Sequence, residues 1–293
     1  MLFDESILRK LNQLTLIASR VRAGSIKGER RSSRRGSSVE FVDYRDYTPG
    51  DDLRRLDWNI YARLDRPFIK LLEEEEDLAV HILLDGSQSM NWGEDETHKF
   101  KYAQRLAAGL GAVALAAGDL LTIGLLQAGK VTAEFGPTRG QVSLTRLFHF
   151  LEELNPAGET NLNAAIQDYS VRPRRSGLAI LISDLFTPAG YEGGIRLLLG
   201  RGHDTTLIHV LSPDELNPPF SGDLELIDSE TNLGQDVSLN SGLRDLYQAR
   251  ARAWIQSTQL NCRKQGVRYQ EVITNIPWDQ ILLLNMRHAG IVK

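Results

Sequence analysis

The sequence predicts a doubly wound α/β fold, a mostly parallel sheet with helices on both faces, and three observations predict it. Two short apolar runs, AVHILL over 79–84 and LAILI over 178–182, lead into the carboxylates Asp85 and, after Ser183, Asp184. That is how buried parallel strands deliver polar loops. Candidate strands and helices alternate along the chain, the order that builds a parallel sheet with crossover helices. The composition, 42% hydrophobic and 25% charged over 293 residues, belongs to a globular protein able to bury a substantial core in one or two domains.

At the N-terminus Ile7, Leu8, Leu11, Leu14 and Ile17 stand at helical spacing, and charges interrupt every apolar run. An amphipathic helix is expected here, not a targeting peptide. No window reaches the roughly 20 apolar residues of a membrane helix, and even 109–126 is divided by Gly118-Asp119, so no transmembrane segment is expected. Residues 20–38 form a basic arm, with seven Lys or Arg between Arg20 and Arg35. It has no aromatics for base stacking and the whole chain has a net charge of −4, so no nucleic-acid partner is expected. The single cysteine, Cys262, has no Cys or His at ligand spacing, which excludes an internal disulfide and points to a reducing cytoplasm.

In the next stretch VEFVDY (39–44) and RPFIKLL (66–72) read as strands, and Thr48-Pro49-Gly50-Asp51 as a turn. Arg45, Asp51, Asp52, Arg54, Arg55 and Asp57 interleave opposite charges near Tyr47 and Trp58, which reads as a buried ion-pair and aromatic cluster. A structural role is favoured over a ligand site, because breaking a buried pair costs about 3–5 kcal/mol. The acidic run Glu73–Asp77 reads as a solvated edge.

Beyond it, Lys99–Ala117 carries Phe100, Ala103, Leu106, Leu110 and Val113 at helical spacing. Leu120–Leu126 and Val131–Phe135 follow as strands, Leu144–Leu154 and Ala164–Tyr169 as helices, and Thr205–Leu211 as a strand after a helical Ile195–Leu199 segment. A hairpin near 223–240, a long helix Leu243–Arg263, a strand Val267–Ile273 and a closing helix Trp278–Arg287 complete the chain. The expected division is 1–77, holding the N-terminal helix, basic arm and β-extension, and 78–293, the α/β domain.

The chemistry gathers after the first apolar run. Asp85, Ser87 and Ser89 stand at alternate positions, so in an extended loop three hard oxygen donors share one side. The same D-x-S-x-S pattern also suits a turn or helix cap. Strand ends of an open α/β sheet face one crevice, which lets Thr160, in GETNLN ahead of a helix, and Asp184 join Asp85 there. With these residues the chain resembles the von Willebrand factor A domain: DGSQS, Thr160 and Asp184 match that family's metal-ion-dependent adhesion site. Residues 36–77, from GSSVEFVDYRDYTPGDDLRRLDW onward, closely resemble the signature of the bacterial domain-of-unknown-function-58 family, to which Arg45, Tyr47, Pro49, Gly50, Asp51, Arg54, Asp57 and Trp58 belong.

The resemblance implies Mg²⁺, with Mn²⁺ and Ca²⁺ as alternatives, held directly by Ser87, Ser89 and Thr160 and mostly through water by Asp85 and Asp184. It also implies that an acidic side chain of a client protein completes the shell, and that a MoxR-type AAA+ ATPase is a partner, this chain acting as its adaptor or co-chaperone. Many members of that family carry N-terminal membrane helices, and none is seen in this sequence.

The enzyme alternative is a metal-dependent hydrolase or phosphotransferase using Asp85, Ser87 and Asp184. Neither a G-x-S-x-G elbow nor a G-x-x-x-x-G-K-[ST] phosphate loop is present. His81 and His209 read as satisfied core residues, His149 as helical, and His98, His203 and His288 as surface. A non-enzymatic binding protein is the expectation.

Overall fold

The apolar residues of the N-terminus divide between two periods. The computed structural model describes residues 5–11, 13–18, 39–48, 51, 53, 56–74, 78–159, 161–230 and 233–293. Helix α1 (Glu5–Leu11) ends where the expected helix would continue. Leu14, Leu16 and Ala18 are buried at alternate positions, and residues 15–17 pair with the C-terminus, Ile17 N donating to Ile291 O at 2.9 Å and Lys293 N to Thr15 O at 2.9 Å. Helical and extended spacing overlap at these leucines, and the backbone pairing selects the extended form. The N-terminus therefore belongs with the sheet: the chain forms one unit of residues 1–26 with 78–293, and another of 27–77, where a division at 77 was expected.

In the smaller unit β1 (Val39–Asp46) pairs antiparallel with β2 (Phe68–Glu74). Helix α2 (Trp58–Leu64) lies in the connection, and Asp57 caps it by accepting from Asn59 N and Ile60 N at 2.9 and 3.1 Å.

The larger unit begins with β3 (Ala79–Asp85), α3 (Lys99–Ala116), β4 (Leu120–Gln127) and β5 (Lys130–Thr138). Then come α4 (Leu144–Glu153), α5 (Leu162–Val171), β6 (Leu178–Ser183), α6 (Glu192–Gly200), β7 (Asp204–Leu211) and the short α7 (Pro213–Leu216). An exposed hairpin, β8 (Gly222–Ile227) with β9 (Gly234–Leu239), precedes α8 (Ser241–Gln265) and β10 (Arg268–Ile273). The chain closes through Trp278–Gln280, a π-helical turn Ile281–Asn285 and Met286–His288.

Six strands form one sheet in the order β10-β7-β6-β3-β4-β5. All neighbours are parallel except β4 and β5. This is the expected von Willebrand factor A-like arrangement. Side chains alternate between the two faces of β3. Val80, Ile82 and Leu84 share one core with Leu106, Leu110 and Val113 of α3, and Leu83 shares the other with Ile166 of α5 and Ile195 of α6. The chain leaves β3 toward β4 and β5, then returns to β6 on its other side, so the C-terminal ends of β3 and β6 meet at the topological switch point.

Candidate metal centre

Asp85 ends β3 and Asp184 directly follows β6, so two neighbouring parallel strands bring both carboxylates to that switch point. The Asp85 turn is fixed on every side. Asp85 Oδ1 accepts from Ser87 N at 3.0 Å and Oδ2 from Ser183 Oγ at 2.5 Å. Gly86 N donates to Leu126 O at 2.9 Å, and a Cβ at Gly86 would stand 2.6 Å from the Leu125 side chain. Across the crevice Gln88 N donates to Gly158 O at 2.9 Å, which joins this loop to the one carrying Thr160. Thr160 itself lies outside the described residues.

Ser87 Oγ and Ser89 Oγ are 3.0 Å apart, and Ser89 Oγ reaches Asp184 Oδ1 at 3.4 Å, a weak hydrogen bond. Asp85, Ser87, Ser89 and Asp184 are thus brought together as the sequence indicated. Leu185, immediately after Asp184, takes a positive φ of 61°, a conformation that strains a non-glycine residue. In that turn Phe186 N donates to Asp184 Oδ1 at 3.1 Å.

Lys99, the first residue of α3, was not read from the sequence as part of this site. Its side chain is 0% exposed, and Nζ donates to Asp184 Oδ2 at 2.6 Å and to Glu215 Oε1 at 2.5 Å. Glu215 belongs to α7, where its other oxygen accepts from Ser212 N at 2.7 Å in a capping box. One signal for Lys99 was present: a lysine in the first turn of a helix stands where the macrodipole disfavours a cation. Its two partners lie 85 and 116 residues away, beyond the reach of any local pattern.

The electrostatics follow from burial. Burial, then the nearby Asp184 charge, pushes the Asp85 carboxyl up to about 7, against the hydrogen bonds from Ser183 and Ser87. Burial pulls on the Lys99 ammonium, but Asp184 and Glu215 outweigh it and hold its pKa above the usual lysine value. Burial raises Glu215 more than Lys99 lowers it. His209 Nε2 lies 3.0 Å from Asp184 O and Nδ1 2.8 Å from Tyr269 OH, and burial lowers its pKa to about 4. It supports the backbone of Asp184 as a neutral ring.

The donors offered to an ion are hydroxyl and carboxylate oxygens, which suit a hard divalent cation. Among the described residues no group of three or more Asp, Glu, His or Cys side chains clusters as a metal site, and the oxygen donors that do meet there are the Ser87 and Ser89 hydroxyls and the Asp85 and Asp184 carboxylates. The Asp85 carboxyl, buried beside a second carboxylate, is what a cation would compensate. Lys99 already compensates Asp184.

Two other expectations need correction. The charged cluster of the smaller unit is not buried: Arg45 Nη2 meets Asp51 Oδ1 at 2.7 Å with the arginine side chain 45% exposed, and Trp58 is 62% exposed. Asp51 Oδ2 also accepts from Thr48 N and Thr48 Oγ1, each at 2.8 Å, so the cluster closes a local turn, which needs no burial. Arg45 leads in holding the Asp51 carboxyl down at about 2. Asp57, by contrast, is buried, capping α2 and accepting from Tyr44 OH at 3.1 Å, and Tyr47 N donates to Pro67 O at 3.0 Å. Pro49, Gly50, Asp52, Arg54 and Arg55 lie outside the described residues. His203, expected at the surface, is buried with its ring 4.8 Å from that of His81. Gly202, at φ 83°, makes the turn that sends it inward.

Residues 43–256 match the family described as "Protein of unknown function DUF58". The uncharacterized proteins Rv1480 of Mycobacterium tuberculosis and Mb1516 of Mycobacterium bovis are each 28% identical, over 98% of this chain and 92% of theirs. Among solved structures, the conserved hypothetical protein BatB from Bacteroides thetaiotaomicron overlaps 73% of this chain and 98% of its own, at 18% identity and a TM-score of 0.42. An aerotolerance-related membrane protein from Bacteroides fragilis overlaps 70% and 96%, at 19% identity and a TM-score of 0.42. No helix among the described residues is long and apolar enough to cross a membrane.

Proposed function

The chain belongs to the DUF58 family, and we propose that it is a non-enzymatic, divalent-metal-dependent protein-binding module, an adaptor for a MoxR-type AAA+ ATPase in the cytoplasm. Asp85, Ser87, Ser89, Thr160 and Asp184 hold the ion, Mg²⁺ first, and an acidic side chain of the bound protein completes its shell. The observation that carries this reading is the Ser87–Ser89 hydroxyl pair, 3.0 Å apart beside Asp184 and above the buried Asp85.

Lys99 strengthens the argument. By drawing charge from Asp184 it leaves an ion with little anionic compensation from its own site, and such an ion demands an anionic ligand from outside. The same arrangement disfavours hydrolysis: among the described residues no histidine hydrogen-bonds Ser87, and a two-metal site would need more carboxylates. The ATPase as partner rests on the family resemblance alone.

Titration with Mn²⁺, followed by electron paramagnetic resonance, tests the ion site. One ion should bind the wild type, and Asp85→Ala and Ser87→Ala should abolish binding while the circular dichroism spectrum stays unchanged. Equal Mn²⁺ binding by all three proteins would remove these residues from the site.

A further inference from the structure

Next to the metal centre the larger unit contains a cavity of about 310 Å³, lined among others by Phe186, Leu216, Tyr247, Arg250, Trp254 and Ile255. Four elements at the C-terminal edge of the sheet build it: the turn after β6, the end of β7 at Leu211, the short α7, and one face of α8. Its volume lies at the small end of the roughly 300–1,000 Å³ range of ligand pockets.

The walls are held in place before anything binds. The Phe186 and Trp254 rings stack with centroids 5.5 Å apart and planes 19° from parallel, and the Trp254 ring also meets the His209 ring at 4.9 Å. Tyr247 OH donates to Glu215 O at 2.8 Å, which ties α8 to α7. A pocket built this way loses little conformational freedom when it is filled.

Two links join the cavity to the metal centre. Phe186, which lines the cavity, donates its backbone N–H to Asp184 Oδ1, and its ring lies 5.0 Å from Lys99 Nζ. Glu215, also in the wall, is bonded to Lys99, which is bonded to Asp184. Of the two charged residues in the wall, Glu215 is therefore paired. Arg250 is exposed and makes no ion pair with any described residue. The uncompensated charge of the pocket is positive, in walls that are otherwise apolar.

We infer that this cavity receives the apolar side chain of an acidic peptide segment of the bound protein: an aromatic or leucine side chain fills it, a second carboxylate of the segment meets Arg250, and the first carboxylate ligates the metal. This names the class of partner for the site proposed above and rests on that reading. The Phe186 ring in the cavity wall lies 5.0 Å from Lys99 Nζ, which lies 2.6 Å from Asp184 Oδ2, and an extended peptide advances about 3.3 Å per residue with side chains alternating between its two sides, so the apolar residue stands roughly two to four positions from the metal-binding acid.

The test uses the full chain and a library of synthetic peptides, each with one fixed aspartate and all other positions varied, selected in Mg²⁺. Selected peptides should carry Phe, Trp or Leu two to four residues from the aspartate, with a further Asp or Glu. Ala251→Trp fills the cavity and should weaken the best peptide roughly ten- to a hundredfold, the loss that follows from no longer burying one large apolar side chain. Arg250→Glu, at an exposed position where folding is not at stake, should abolish the preference for the second acid. Both variants should bind Mn²⁺ as the wild type does.

Magnesium-dependent binding of the aspartate peptides with no apolar preference, or unchanged affinity in both variants, overturns the pocket assignment and leaves the metal site standing. Absence of Mn²⁺ binding in the wild type overturns the metal reading and this inference with it. Concentration-dependent dimerisation in sedimentation, abolished by Arg250→Glu, would assign the cavity to a second copy of the chain and so overturn the peptide.

Discussion

Replacing Lys99 with methionine removes the one ammonium that stands between two carboxylates. The lysine is fully buried, with Asp184 at 2.6 Å and Glu215 at 2.5 Å, and Asp184 is itself 0% exposed. Methionine keeps the apolar stem but leaves both acids uncompensated. Breaking a buried pair from one side costs about 3–5 kcal/mol, and that is the destabilisation expected in EDTA, measured as the shift of the urea unfolding midpoint by circular dichroism. A second variant separates charge from packing. Lys99→Met combined with Glu215→Gln removes one of the stranded charges and should recover roughly 1–2 kcal/mol, within the usual coupling of residues in contact. Mg²⁺ at a hundred times its Kd stabilises a folded protein by about 2.7 kcal/mol, and a given Mg²⁺ concentration should stabilise Lys99→Met more than wild type, because the ion no longer shares the centre with an ammonium. A loss below about 1 kcal/mol in EDTA, or an unchanged response to Mg²⁺, would refute this account of Lys99.

Further outcomes follow from the same site and its supports. Asp85 has a folded-state pKa raised to about 7 from an ordinary 3.8, so without metal its share of stability is full below about pH 4 and is lost as pH rises through 7. Asp85→Asn should therefore gain stability relative to wild type between pH 5 and pH 8, read as paired urea midpoints; an unchanging difference would contradict the burial argument. His81 behaves in the opposite sense. Burial lowers its pKa from 6.5 to about 4, so the unfolded chain takes up the proton first and stability falls as pH drops from about 6.5 toward 4, by about 3 kcal/mol in full. His81→Gln should flatten that part of the acid unfolding profile, and an equally steep profile would exclude His81 as its source. Thr160→Ala should weaken partner binding while moving the unfolding midpoint little, since the sequence GETNLN ahead of a helix reads as a loop at that position; unchanged partner affinity would remove Thr160 from the site. Asp57→Ala should cost about 1 kcal/mol through loss of the α2 cap, seen as faster amide exchange over residues 58–61, and equal exchange would show that the cap is dispensable.

The sheet was legible because its strands are either continuous apolar runs or sharply bounded. Ala79–Asp85 and Leu178–Ser183 are buried at every position, and no helix of ordinary amphipathic pattern reads that way. The D-x-S-x-S loop and Asp184 were legible for a related reason, since each directly follows such a run. The N-terminal helix was overextended because Leu11, Leu14 and Ile17 satisfy helical spacing, while the residues that draw 15–17 into extended pairing lie at 291–293. Lys99 and Glu215 carry no local sequence signal of their pairing, which spans 116 residues, although the capping box at Ser212–Glu215 marks a turn of helix there. The Arg45–Asp51 pair was recognised as a pair, but its exposure was not. Alternating charges look the same in sequence whether they close a surface turn or lie in a core. His203 looks like a surface residue in sequence because nothing local shows that the turn at Gly202 directs it inward against His81.

Everything proposed for this protein depends on an ion at Asp85, Ser87 and Ser89 that recruits another protein. The direct measurement is recovery of the tagged chain from its native cell lysate in Mg²⁺, in EDTA, and as Asp85→Ala in Mg²⁺, with mass spectrometry of what comes with it. The account predicts a MoxR-type AAA+ ATPase and an acidic-surfaced client present in the first sample and lost from the other two. The same proteins retained in all three would contradict it, and would move the binding surface away from the metal centre.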